Sequence, residues 1–222
     1  MTLTAIFRVK HLEPPPWLYA WMAQGSMFRL IYRRLTADLA AFLPQGARVL
    51  DVGTGPGYLL AHLARTRPDL DLWGLDLAYA MLRRGRRRRE APGLHRPLNW
   101  VVADALALPF PARAFDLALA TFSFHIWPRP VTGLTEMLRV VSPGGQAWIY
   151  EMQREVPGAE IRAFAREANL PFLPVYLGFK AASRHHALPT GDFSRLLKEA
   201  AGESWQLRPV HRLFWRAELT PS

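Results

Sequence analysis

Three carboxylates and a set of glycines are the residues here whose types and spacing could do chemistry. Asp51 stands two residues before Gly53, and Gly55 and Gly57 follow at G-x-G-x-G spacing. A glycine-rich turn lets a ligand approach bare backbone. The N–H groups at the start of the following helix can then face that ligand. Asp76 lies nineteen residues after Gly57. An acid at about that distance is where doubly wound folds bind ribose hydroxyls, because a carboxylate accepts two hydrogen bonds at once. Asp104 is the third carboxylate. The run Phe122-Ser-Phe-His-Ile-Trp127 brings in His125, the candidate general base wherever a reacting group must lose a proton. Glu151 is a second candidate base, or the ion-pair partner of an arginine. The glycine spacing departs from the G-x-G-x-x-G fingerprint of dinucleotide folds, which argues against a nicotinamide-dependent oxidoreductase.

The elements that must position these residues read as alternating strands and helices. Val49, Leu50 and Val52 predict a buried strand, and Tyr58–Ala64 takes up a helical pattern. Leu70–Leu75 is a strand ending at Asp76, and Trp100–Ala103 a strand ending at Asp104. Ala114–Thr121 is the fourth strand. An amphipathic helix over 131–141 is broken by Ser142-Pro-Gly-Gly145, which leads into the strand Gln146–Tyr150. Thr190 is the expected N-cap of a helix through Ala201, with Gly202 as its stop. Trp205–Val210 and Arg212–Leu219 form a hairpin. The predicted fold is α/β: a Rossmann-like, doubly wound, mostly parallel seven-stranded sheet with an antiparallel C-terminal hairpin.

The ordered segments VLDVGTGPG, GLDLAYAML, VVADALALPFPARAFDLAL, FHIWPRP and LTEMLRVVSPGG, spread over roughly 45–150, resemble class I S-adenosylmethionine (SAM)-dependent methyltransferases. They are similar to the methyltransferase type 11 group that includes the ubiquinone and menaquinone C-methyltransferases. The resemblance implies SAM as cofactor and S-adenosylhomocysteine (SAH) as product. It implies cofactor contacts at Asp51, Gly53, Thr54, Gly55, Gly57, Asp76, Leu77, Asp104, Ala105 and Thr121, with Asp76 on the ribose and Asp104 and Ala105 at the adenine. One departure is visible. Where relatives often carry His-His-Trp after the fourth strand, this chain has His125-Ile126-Trp127. Thr121-Phe-Ser-Phe124 stands where adenine-N6 enzymes have Asn/Asp-Pro-Pro-aromatic.

At 222 residues, half of them hydrophobic, the chain is long enough for one α/β core. Residues 1–44 are expected to form an N-terminal helical lid, with Tyr19 as an acceptor contact. Residues 45–222 are the expected SAM-binding domain, with an acceptor-side insertion at about 152–189. Within the insertion, Gly158–Asn169 reads as a helix and Leu170–Lys180 as an irregular apolar loop in which Tyr176 and Phe179 line a pocket. His185 and His186 are adjacent and do not have metal-pair spacing, so no metal is expected. No cysteine occurs, which excludes disulfides and cysteine-nucleophile methyl transfer. Apolar runs fall short of the ~20 residues of a membrane span. MTLTAIFRVKHLEPPPW lacks a signal-peptide core, so a cytoplasmic location is the default.

The net charge is +10, and all but three of the 28 basic residues are arginine. The run Arg83–Arg89 reads as the solvated face of a helix, or as a phosphate-contacting patch. Aromatic residues do not interleave with it, which disfavours nucleic acid as partner. The leading expectation is methyl transfer to a small, partly apolar acceptor. The alternatives are an RNA or protein methyltransferase using the arginine surface, and a non-catalytic SAM-binding module.

Overall fold

The computed structural model describes residues 25–86 and 97–221. Seven strands form one sheet: β1 Arg48–Val52, β2 Asp71–Asp76, β3 Asn99–Val102, β4 Phe115–Thr121, β5 Val141–Met152, β6 Trp205–Val210 and β7 Phe214–Leu219. Their order is β3-β2-β1-β4-β5-β7-β6. The first five are parallel, and β7 runs antiparallel between β5 and β6. The helices are α1 Ser26–Phe42, α2 Tyr58–Thr66, α3 Tyr79–Arg86, α4 Pro130–Val140, α5 Gly158–Glu167, α6 Phe172–His186 and α7 Thr190–Ala201.

Successive strand residues point to opposite faces, so each strand feeds two cores. Val49, Leu117, Leu119, Trp148 and Tyr150 pack under α1, α2, α5 and α6. Leu50, Val52, Ala118, Ala120, Ala147 and Ile149 pack under α4 and α7. α1 presents Leu35 and Leu39, four residues apart and fully buried, to the first of these layers.

Four sequence expectations are corrected. The Ser142–Gly145 turn signal does not precede β5 but lies within it. Phe115 pairs with Val141 and Leu117 with Gln146, so the extra residues of β5 are absorbed as an irregularity. Gly145 is needed there, since a Cβ would meet Asp116 O at 2.5 Å. The predicted irregular loop over 170–180 is instead the first part of α6. Pro171 precedes that helix and Pro174 falls in its first turn, where the missing N–H has no partner to lose. Thr190 is the first helical residue rather than the cap; Pro189 holds the N-cap position and no side chain caps it, whereas Gly202, φ 60°, does end the helix. β3 stops at Val102, two residues short of Asp104.

The β6–β7 turn ties distant elements together. His211 and Arg212 both have positive φ, 50° and 72°. His211 Nε2 meets Asp38 of α1 at 2.8 Å, and Arg216 and the Tyr150 hydroxyl meet the same carboxylate at 3.3 and 3.4 Å. Arg212 pairs with Glu160 and Glu167 of α5, and Arg34 of α1 also pairs with Glu167. No helix among the described residues is long and apolar enough to cross a membrane.

Candidate cofactor and transfer site

Asp51, the penultimate residue of β1, is almost fully buried, at 2 % exposure. Its Oδ2 accepts the Thr54 hydroxyl at 2.7 Å, while its Oδ1 is buried without a donor. Burial pushes the Asp51 carboxyl up to about 7; the neighbouring charge of Asp76 adds to this and the Thr54 hydrogen bond opposes it. Thr121 Oγ1, at the end of β4, is also buried without a partner. Asp51 pairs in register with Leu119. Thr121 lies two residues on, so both side chains leave the same face of the sheet.

The turn after β1 carries Gly53, Gly55 and Gly57 at φ 76°, 56° and 68°. The turn's own N–H groups are taken up within the protein. Gly53 N and Thr54 N donate to Leu75 O at 2.8 and 2.9 Å, and Gly57 N donates to Thr54 O. Gly55 N donates to Asp76 Oδ2 at 2.8 Å. Asp76 Oδ1 accepts from Ala78 N at 2.8 Å. Each oxygen retains a second lone pair. Burial raises the Asp76 pKa against these two hydrogen bonds.

Space also dictates glycine here. A Cβ on Gly53 would sit 2.5 Å from Ser123 Oγ, whose hydroxyl donates to Val52 O. A Cβ on Gly57 would sit 2.1 Å from the Trp100 ring. Gly74 of β2 and Gly85 of α3 border the same indole. Trp100, a residue the sequence reading passed over, therefore fills a niche cleared by three glycines. The signal was available: glycine inside a strand or helix marks close approach. The indole Nε1 is buried without a partner.

At the ends of β2 and β3 the edge is apolar and open. Leu77 is 70 % exposed and Val102, the residue paired with Asp76, 48 %. Asp104 is exposed, its Oδ1 accepting from Leu106 N at 2.9 Å, and Ala105 is half-buried.

Beyond β4 the chain passes through Phe122 at φ 55° into a short 3₁₀ turn, Phe124–Ile126. A bulky residue at positive φ is a strained position of the kind found at functional sites. The two candidate bases meet here. His125 Nδ1 lies 3.1 Å from both carboxylate oxygens of buried Glu151, and the His125 backbone N–H donates to Oε1 at 3.2 Å. A carboxylate acceptor at this place matches the Nδ1–H tautomer of the imidazole. His186, the last residue of α6, sets its ring 5.1 Å from that of His125, nearly edge-on. A second histidine thus stands beside His125 although position 126 is isoleucine. Helical geometry rather than extended chain determines where His186 points, which is why sequence spacing did not reveal it.

Phe179 is buried in the layer beneath α6, and Tyr176 is half-buried between Phe172 and Lys180, 5.4 and 5.8 Å away. Both belong to the α5–α6 hairpin. Tyr19 lies outside the described residues, as do Arg87, Arg88 and Arg89. Of the arginine run, α3 exposes Arg83 and Arg86 and turns Leu82 and Gly85 inward. Among the described residues no group of three His, Asp or Glu side chains is placed to hold a metal ion.

A seven-stranded sheet of this order with an acid-glycine turn after β1 is the class I methyltransferase fold. The same fold, over 96 % of this chain and 97 % of the other, occurs in a putative SAM-dependent methyltransferase from Methanococcus maripaludis at TM-score 0.76 and 18 % identity. It recurs in a SAM-dependent methyltransferase from Aquifex aeolicus at TM-score 0.68 and 17 % identity, over 93 % and 98 % of the two chains. Residues 49–145 match the methyltransferase domain family. Among curated relatives, the demethylmenaquinone methyltransferase of Thermus thermophilus is 38 % identical over 130 residues, 59 % of this chain and 58 % of that one. The ubiquinone/menaquinone biosynthesis C-methyltransferase UbiE of Dinoroseobacter shibae is 37 % identical over 107 residues, 48 % and 43 % of the two chains. The chain spans about half the length of the curated relatives it matches.

Proposed function

We propose that the protein binds SAM along the C-terminal edge of β1, β2, β3 and β4 and transfers its methyl group to a small, partly apolar acceptor of the phenol or quinol type. The observation that carries the reading is Asp51: a buried carboxyl with one oxygen lacking a donor, on the same sheet face as the unpartnered hydroxyl of Thr121 on the neighbouring strand. Buried polar groups of this kind call for a partner, and a cation beside Asp51 restores its ionised form. An anionic pyrophosphate would meet Asp51 and Asp76 over a turn whose N–H groups at Gly53, Thr54, Gly55 and Gly57 are already donated. That favours a cationic ligand over a dinucleotide.

In this reading Asp51 holds the ammonium of the amino-acid end, and Gly55 keeps the turn bare beside it. Asp76 takes the ribose hydroxyls on its remaining lone pairs. Leu77 and Val102 cover one face of the adenine, while Asp104 accepts from its exocyclic amine and the Ala105 N–H donates to a ring nitrogen. Bound SAM supplies a methyl group already activated on a cationic sulfur. The protein's tasks are to hold the acceptor in line, about 3–3.5 Å away, and to manage its proton. His125 is the residue placed to take the acceptor hydroxyl proton, and Glu151 stabilises the imidazolium that results. The acceptor class draws on the names of the curated relatives and on the aromatic α5–α6 hairpin.

The test is calorimetric titration with SAM and SAH, followed by transfer from methyl-labelled SAM to demethylated quinols and simple phenols. His125→Gln is expected to keep SAH affinity while lowering kcat by about 10²–10⁴. A folded protein that binds neither SAM nor SAH ends the reading.

A further inference from the structure

α6 is apolar on more sides than a surface helix requires. From Phe172 to Ala182 only Lys180 carries a charge. A helix apolar all round is ordinarily enclosed. Phe179 is buried, and Phe172, Val175 and Tyr176 pack partly against the core. Leu173 and Leu177, one turn apart, instead remain 61 % and 58 % exposed. The unpaired charges around this strip have one sign. Arg162 of α5 lies 4.1 Å from the Phe172 ring centroid. Arg166 follows one turn along the same helix, and Arg184 stands toward the C-terminal end of α6; all three are exposed. α6 contains no acid, and the α5 acids Glu160 and Glu167 are engaged by Arg212.

We propose that this face of the α5–α6 hairpin docks on an anionic lipid surface. Leu173 and Leu177 enter the boundary between headgroups and acyl chains, and Arg162, Arg166 and Arg184 meet the lipid phosphates. Apolar side chains rimmed by cations are the combination that binds such surfaces. His186, which meets His125, stands at the C-terminal end of the same helix on the face opposite the strip. Docking in this way leaves α6 between the lipid and the proposed transfer site. The docking itself does not rest on the methyl-transfer reading, and its test uses no acceptor.

The test is flotation of the full chain with vesicles of phosphatidylcholine alone and of equal phosphatidylcholine and phosphatidylglycerol. Binding is expected only to the mixed vesicles, and it should weaken as salt rises. Leu173→Asp with Leu177→Asp is expected to lower the partition at least ten-fold. Replacing Arg162, Arg166 and Arg184 with Gln is expected to lower it roughly a hundred-fold, since each surface cation contributes about a factor of five. Replacing Arg83 and Arg86 with Gln should leave it unchanged. Circular dichroism and melting confirm that each variant is folded. Absence of flotation overturns the proposal, as does flotation that survives the leucine changes but is lost with Arg83 and Arg86. The cysteine-free sequence permits a single label. A polarity-sensitive dye on Leu177→Cys should shift to the blue only when mixed vesicles are added. Emission already blue without lipid and unmoved by it would mean that another part of the chain, or a protein partner, covers this face, and would also overturn the proposal.

Discussion

The carboxyl edge of β1 and β2 and the α5–α6 hairpin are built on opposite principles. The edge spends stability on chemistry: Asp51 is buried with half its hydrogen-bonding capacity unmet, three glycines hold left-handed conformations, and Phe122 is strained nearby. The hairpin stores no such tension. Ile161, Phe164 and Phe179 are packed side chains, and the flanking charges are paired or solvated. In the first region glycine is dictated position by position, because a Cβ on Gly53 would meet Ser123 and one on Gly57 would meet Trp100. In the second, geometry follows from what each helix finds to pack against.

The contrast can be broken in graded steps. The largest effect belongs to Gly57→Val, which adds a β-branched side chain at φ 68° and drives it into Trp100. We expect a loss of about 4 kcal/mol, from backbone strain and overpacking together, measured as a fall in urea midpoint. Next is Phe179→Ala, expected to cost about 3 kcal/mol of stability with SAH affinity unchanged; a parallel loss of SAH binding would show that the two regions are not separable. Asp76→Ala should do the reverse, weakening SAH ten-fold or more in calorimetry, since hydrogen bonds to charged groups contribute about 1.5–3 kcal/mol.

A finer probe is pH. The Asp51 pKa stands at about 7 in the folded protein against 3.8 ordinarily. Between those values the unfolded chain holds fewer protons than the folded one, so this group's contribution to stability falls as pH rises. Melting temperature relative to Asp51→Asn should therefore decline from about pH 4 to about pH 7, and saturating SAH should flatten the decline. The smallest effect is expected from Arg83→Gln with Arg86→Gln, within about 0.5 kcal/mol.

The same contrast explains what could be read in advance. The parallel strands, the acids at or near their ends and the C-terminal hairpin were legible, because period-two burial and turn residues act locally. The meeting of His125 with Glu151 was not, since it depends on the register of β5 after its Ser-Pro-Gly-Gly irregularity. His186 was hidden for a related reason. Leu170–Lys180 contains two prolines and a glycine and almost no polar residue, so no 3.6-residue pattern announces the helix that carries His186 to the site. Trp100 was overlooked because its partners, Gly57, Gly74 and Gly85, are scattered over three elements.

The β6–β7 turn bears on how the chain is made. Asp38 lies in α1, yet its partners His211 and Arg216 lie 173 and 178 residues further on. β7, the strand that carries Arg216, fills the gap between β5 and β6. On a ribosome, α1 emerges long before these partners, and the sheet cannot close until β7 has been made. A nascent chain stalled before residue 205 is therefore expected to leave β5 as an open edge, a surface for chaperones to shield during synthesis.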